Sequence, residues 1–306
     1  MEQKSMTALV SAFARAYHSQ NNTVTIFNDS LARQLLGEEQ YAGIAKSMEE
    51  GISFFNPSFT GTKEEALRWI VDSQLSPSPL GRAAFAEKSL ECAVFLGARQ
   101  YLILGAGYDT FAYRQPQWAK SLRIFEIDHP AAAKDKRDRL AASEISVPDN
   151  VRFLTADFAQ DGWQTPLKAH ADFHADQTSF CSVLGVSYYL SENAWKGLLL
   201  ALRDLLPEGS SVVFDYPDET SHTAQASNRS QKQAALADGA NETMTAGYSY
   251  EKMERLLGDC GFLIYEHLTP EEMTRQYFSD YNRANPDHTM TAFDHVNYCL
   301  AVRKRT

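Results

Sequence analysis

Residues 99–128, RQYLILGAGYDTFAYRQPQWAKSLRIFEID, decide how the rest of the chain is read. Residues 101–104 are an apolar run that stops at Gly105-Ala106-Gly107, the pattern of a buried strand entering a tight turn. A second apolar run, 122–127, ends in Asp128. Strand, glycine turn, crossover and a second strand with a terminal carboxylate make the front half of a nucleotide-binding βαβ unit. Glycine lets backbone approach a ligand, and the carboxylate can accept from both hydroxyls of a ribose. The third glycine of a dinucleotide fingerprint is missing, with Asp109 and Thr110 in its region, and no Gly-Lys-Ser/Thr ending marks a P-loop. The pattern favours an adenosine-containing ligand, with S-adenosylmethionine ahead of a dinucleotide. A strand and turn without a ligand is the alternative.

Upstream, residues 5–17, 28–50, 64–72 and 80–96 carry apolar positions at helical spacing, with Asp29 or Ser30 as a cap and Ser76-Pro77-Ser78-Pro79 as an interruption. Residues 1–97 therefore read as a helical cap, longer than the cover of a sheet edge requires. Arg82 stands in the small, apolar stretch GRAAFAEKSL. It is either a solvated helix position or a guanidinium fork aimed at a ligand carboxylate.

Downstream, His129-Pro130 opens a helix to about residue 143, whose charged run 134–138 reads as solvent-facing. Strand 151–155 leads to Asp157 and Phe158. Asp157 stands at a strand end, the edge where open α/β sheets bind ligands, and could accept from an adenine amino group beside the Phe158 ring. A simple Asp turn or helix cap competes. Strand 179–184 runs into the aromatic segment 185–190, a helix follows to residue 205, and strand 211–216 comes next. Alternating strands and helices imply a parallel, doubly wound sheet. Residues 217–245 are polar and too long for an ordinary connection, so they read as a disordered insertion or a mobile lid containing a polar helix. Strands 262–266 and 296–302 close the core, the last expected antiparallel at the sheet edge. The whole reads as one domain, 1–306, with the core at 98–306.

Composition bounds the chemistry. The chain is 44% hydrophobic, ample for a core, and its 39 acidic against 29 basic residues give a formal charge of -10, which disfavours nucleic-acid and anionic-membrane partners. Cys92, Cys181, Cys260 and Cys299 have neither zinc nor disulfide spacing, so reduced, mostly buried thiols are expected. No signal peptide or long apolar run is visible, and the expected location is cytoplasmic. No HExxH, nucleophile elbow or clustered metal ligands occur, so neither hydrolysis nor metal dependence is inferred.

LILGAGYDTFAYR, FEIDHP, ADF and VLGVSYYL, in that order, resemble the leucine carboxyl methyltransferase family, especially its bacterial S-adenosylmethionine-dependent O-methyltransferase branch. The resemblance covers about residues 5–303, and the GAGYDT and FEIDHP pair carries it best. It implies a Rossmann-like class I methyltransferase fold, a mostly parallel seven-stranded sheet with an antiparallel last strand, a helical N-terminal addition and a lid. It implies S-adenosylmethionine as cofactor, with Arg82 on the methionine carboxylate and Gly105, Ala106 and Gly107 beside that moiety. Asp128 then accepts from the ribose, Asp157 and Phe158 flank adenine, and Leu184 lies beside the site. Many relatives have Glu-Gly where this chain has Leu184-Gly185. The loss of that carboxylate disfavours the protein-phosphatase role of eukaryotic relatives and favours a small acceptor. The expected activity is methyl transfer to a carboxylate or hydroxyl of a small molecule. Protein C-terminal carboxyl methylation and a non-catalytic cofactor-binding protein are the alternatives. Tyr188 and Tyr189 either line the acceptor pocket or pack in the core. His129, His222 and His288 are the candidate bases should the acceptor need one, with His129 more simply a cap. The sequence names no catalytic residue, acceptor or oligomeric state.

Overall fold

The computed structural model describes residues 5–221, 223, 226–240 and 242–305. The N-terminal layer is α1 (Met6–Asn21), α2 (Ala32–Leu36), α3 (Glu38–Glu50), α4 (Ile52–Phe55), α5 (Lys63–Ile70) and α6 (Pro77–Phe95). Ser5 caps α1 by accepting from the Ala8 amide, and Thr62 with Glu65 forms a capping box on α5. The stretch 28–50 is not one helix. Gly37, at φ 78°, ends α2 and starts α3.

The Ser-Pro-Ser-Pro segment does not break the helical path as its prolines suggest. A π-turn, Val71–Leu75, widens the last turn, and the Ser76 amide bonds Val71 O at 2.8 Å. Pro77 then occupies the first turn of α6, where its missing N–H costs nothing.

The core alternates strands and helices: β1 (Gln100–Leu104), β2 (Arg123–Asp128), α7 (Pro130–Ala142), β3 (Val151–Thr155), α8 (Thr165–Lys168), β4 (Ser179–Val183), α9 (Glu192–Leu205) and β5 (Ser211–Pro217). It ends with α10 (Asn228–Gly239), α11 (Tyr250–Asp259), β6 (Phe262–Leu268), α12 (Pro270–Met273), α13 (Ser279–Ala284) and β7 (Val296–Arg303). One seven-stranded sheet has the order β3-β2-β1-β4-β5-β7-β6. Pairs among β1 to β5 are parallel, and β7 runs antiparallel to both β5 and β6. This is the Rossmann-like class I methyltransferase arrangement.

Alternation along β1 feeds two cores, as a strand buried on both faces must. Leu102 and Leu104 face α9 and α11 through Leu199, Leu202 and Leu257, while Tyr101 and Ile103 join Leu80, Phe85 and Leu90 of α6. A third cluster joins α1, α2, α3 and α5 through Phe13, Leu35, Tyr41 and Ile70. Strand order reverses between β1 and β4, so their carboxyl ends open a crevice at the switch point.

The charged run of α7 is only partly solvent-facing. Lys136 is 2% exposed and its Nζ stands 2.8 Å from Glu126 Oε2 of β2, because helical geometry turns that one position back onto the sheet. Of the cysteines, Cys92 is exposed and the other three are buried and free. Among the described residues, no helix is long and apolar enough to cross a membrane.

Candidate active site

The carboxyl ends of β1 to β5 line a cavity of about 1140 Å³ that also takes residues from α1, α3, α6 and α10. The turn after β1 is built tightly. Gly105 has φ 70°, and a Cβ there would meet Val186 Cγ2 at 2.4 Å, so Val186 in the turn after β4 selects glycine after β1. The Gly105 amide bonds Ile127 O at 2.8 Å, joining the turn to β2.

Asp128 ends β2 beside that turn. Its Oδ2 accepts from the Gly107 amide and its Oδ1 from the His129 amide, each at 2.7 Å. Each carboxylate oxygen offers two lone pairs, so one on each is left for a ligand's hydroxyls. Burial pushes the Asp128 carboxyl above its usual range, against the two amides that favour the ionised form. Asp157 is exposed at the cavity rim and its Oδ1 accepts from the Ala159 amide at 3.0 Å. Phe158 sets its ring edge-on to Trp163, centroids 5.3 Å apart. Ala106 and Leu184 line the same cavity.

Arg82 is not a solvated helix position. Its side chain is 19% exposed, and its Nη1 lies 3.5 Å from Asp215 Oδ2, with Nη2 3.3 Å from Ser11 Oγ. Burial works against its charge, but Asp215 beside it holds the guanidinium protonated. Tyr188 is buried and donates to Asp215 Oδ2 at 2.8 Å; Tyr189 stands 3.4 Å from Thr7 Oγ1, and both line the cavity. His129 caps α7, its Nδ1 accepting from the Ala131 amide at 3.4 Å, and is exposed at the rim. His288 is exposed in the turn Pro286–His288, away from the described lining, and His222 lies outside the described residues. Among the described residues, no group of three or more His, Cys, Asp or Glu side chains could hold a metal ion.

Two carboxylates at this edge are absent from the sequence reading. Asp215 is completely buried inside the apolar run of β5, and that placement was its one local signal. Glu242 accepts from the Met6 amide at 2.9 Å, from the Thr7 amide at 3.4 Å and from the Thr7 hydroxyl, satisfying the open N-terminal turn of α1. No local pattern announces it.

The leucine carboxyl methyltransferase model matches residues 8–202. The chain belongs to that family. It is an S-adenosylmethionine-dependent methyltransferase, and S-adenosylmethionine is its cofactor. It is 40% identical over 307 residues to YktD of Bacillus subtilis strain 168, provisionally named an S-adenosyl-L-methionine-dependent methyltransferase, with 99% of each chain covered. Its fold is shared with a provisionally named methyltransferase from Thermobifida fusca at TM-score 0.57 and 18% identity, covering 99% of this chain and 96% of that one. A DUF574 family protein from Streptomyces avermitilis aligns at TM-score 0.58 and 14% identity, with 96% and 97% covered.

Proposed function

We propose that this family member transfers a methyl group from S-adenosylmethionine to an oxygen, carboxylate or hydroxyl, of a small molecule. The observation that carries the reading is the cavity. Besides Asp128, its lining includes the apolar side chains Ile44 and Met48 of α3, Leu236 of α10, Met244, Phe293 and Val296. A deep cavity with a largely apolar lining suits a small acceptor.

The donor set supports a defined pose for the cofactor. Asp128 accepts from the ribose hydroxyls, Arg82 presents its fork to the methionine carboxylate, and Gly105, Ala106 and Gly107 pass beside that moiety. Asp157 and Phe158 border the adenine, with Leu184 lining the floor toward the reacting end. Bound there, S-adenosylmethionine supplies a methyl group already activated by the sulfonium. The protein's part is then alignment and exclusion of water more than covalent chemistry. Tyr188 and Tyr189 border the acceptor side. A carboxylate acceptor arrives ionised and needs no base.

In this reading residues 1–97 cap a core at 98–306, and 217–245 cover the acceptor side. The described part of that cover contains α10 and is tied to α1 by Glu242. Incubating the protein with methyl-labelled cofactor and extracted metabolites tests the reading. Labelled small molecules are expected, and mild alkali separates methyl esters, which release methanol, from stable methyl ethers. Label appearing only on polypeptide C-termini would overturn it in favour of protein carboxyl methylation.

A further inference from the structure

Asp215 has no assigned part in cofactor binding, yet three cavity-lining residues, Arg82, Gly185 and Tyr188, converge on it. Its side chain is completely buried on β5. Oδ1 accepts from the Gly185 amide at 2.7 Å, and Oδ2 accepts from the Tyr188 hydroxyl at 2.8 Å with Arg82 Nη1 3.5 Å away. Its carbonyl oxygen takes the Ser187 hydroxyl at 2.6 Å. The turn after β4 is thus sewn to one residue of β5 at three points.

The fit leaves no slack. Gly185 has φ 67°, and a Cβ there would lie 2.5 Å from Arg82 Nη1 and 2.8 Å from Cζ. The guanidinium is therefore bounded by Gly185 on one side and drawn to Asp215 on another. A buried arginine without a counter-charge is costly, and a single carboxylate near one nitrogen of the fork also fixes its rotation. Arg82 has five N–H groups. With Nη1 on Asp215 and Nη2 on Ser11, others remain to meet a carboxylate from the cavity.

We propose that Asp215 is the positioning residue that sets Arg82 for the cofactor's amino-acid end, and that it ties this grip to Tyr188 on the acceptor side. The inference rests on the reading that Arg82 holds the methionine carboxylate. Because one carboxylate serves both, the donor's tail and the acceptor wall keep a fixed spacing. Methyl transfer depends on such collinear placement.

Calorimetric titration of the full chain with two probes tests this. S-adenosylhomocysteine carries the amino-acid end; 5′-methylthioadenosine lacks it and keeps the adenosine. Asp215→Asn preserves shape and removes the charge, and near-ultraviolet circular dichroism checks the fold. The expected result is a roughly 10- to 50-fold loss of S-adenosylhomocysteine affinity, the scale of one charge-assisted hydrogen bond, with methylthioadenosine within about twofold. Arg82→Lys should show the same selectivity, and the double variant should lose less than the product of the two single losses. Gly185→Ala displaces the guanidinium while leaving the Asp215 charge in place, and the same selective loss is expected should Asp215→Asn fail to fold. Equal weakening of both probes by Asp215→Asn, or of neither, overturns the inference. If Arg82→Lys alone is selective, the cofactor reading of Arg82 stands and the role of Asp215 falls. If Arg82→Lys is not selective, the reading of Arg82 falls and takes the inference with it.

Discussion

Gly105→Ala isolates the reason for the glycine turn. The added methyl group meets two penalties. Position 105 sits at φ 70°, where an L side chain costs roughly 1–2 kcal/mol. The new Cβ would also stand 2.4 Å from Val186 Cγ2, more than an ångström inside the contact distance of about 3.5–4.0 Å. Relieving that overlap moves Val186 or the turn, an overpacking cost of roughly 1–3 kcal/mol. The sum is about 2–5 kcal/mol, and a shifted turn also draws the Gly107 amide away from Asp128. Val186→Ala removes the colliding methyl and leaves the backbone penalty. Urea denaturation of wild type, the two single variants and the double variant closes the cycle. Gly105→Ala should cost about 2–5 kcal/mol in the wild type but only about 1–2 kcal/mol in the Val186→Ala background. Equal costs in the two backgrounds would refute the claim that Val186 selects glycine here.

Asp128→Ala should raise the dissociation constant of S-adenosylhomocysteine about 10- to 100-fold, read by calorimetry, and unchanged affinity would remove its proposed ribose contact. Because burial holds its carboxyl above the ordinary range, wild-type affinity should fall on acidification sooner than an unperturbed aspartate implies, and that component should vanish in the variant. Burial likewise raises Asp72 to about 6 despite Arg68. The native state therefore holds this proton more tightly than the unfolded chain, and roughly 3 kcal/mol of stability present below pH 4 is lost as the pH rises through 6. Asp72→Asn should consequently raise the melting temperature at pH 8, flatten the pH dependence and gain little at pH 4. Lys136→Met leaves Glu126 buried without its cation and should cost about 3–5 kcal/mol in urea, much of it recovered by adding Glu126→Leu. Glu242→Ala should speed hydrogen exchange at the Met6 and Thr7 amides and across 217–245, and unchanged rates would deny that it holds the cover.

The parts of the fold legible in the sequence are those whose cause is local. β1 to β5 are short apolar runs ending in turn residues, and Asp128 announces itself as a carboxylate at the end of one. Lys136 was hidden because five charged residues in a row conceal which one the helix turns inward. Ser76 to Pro79 read as a break because proline removes a hydrogen bond, yet both prolines fall in the first turn of α6, where no intrahelical bond is lost. Arg82 could be singled out from its apolar surroundings, but that it turns inward and not to solvent depended on Asp215, a partner far along the chain. Glu242 shows the same limit more sharply, since its role exists only once α1 stands opposite it.

Biosynthesis feels that last contact. α1 leaves the ribosome early, and its Thr7 amide must wait for a carboxylate 235 positions later. A nascent chain that has already made β1 and β2 has the glycine turn and Asp128 but no Glu242, α10 or β7. The contact between α1 and Glu242 therefore forms late, and contacts of such sequence separation are slow to form. A chain truncated before residue 242 would carry the first strands of the site with α1 already packed on α2, α3 and α5, but without the carboxylate that satisfies its Met6 and Thr7 amides.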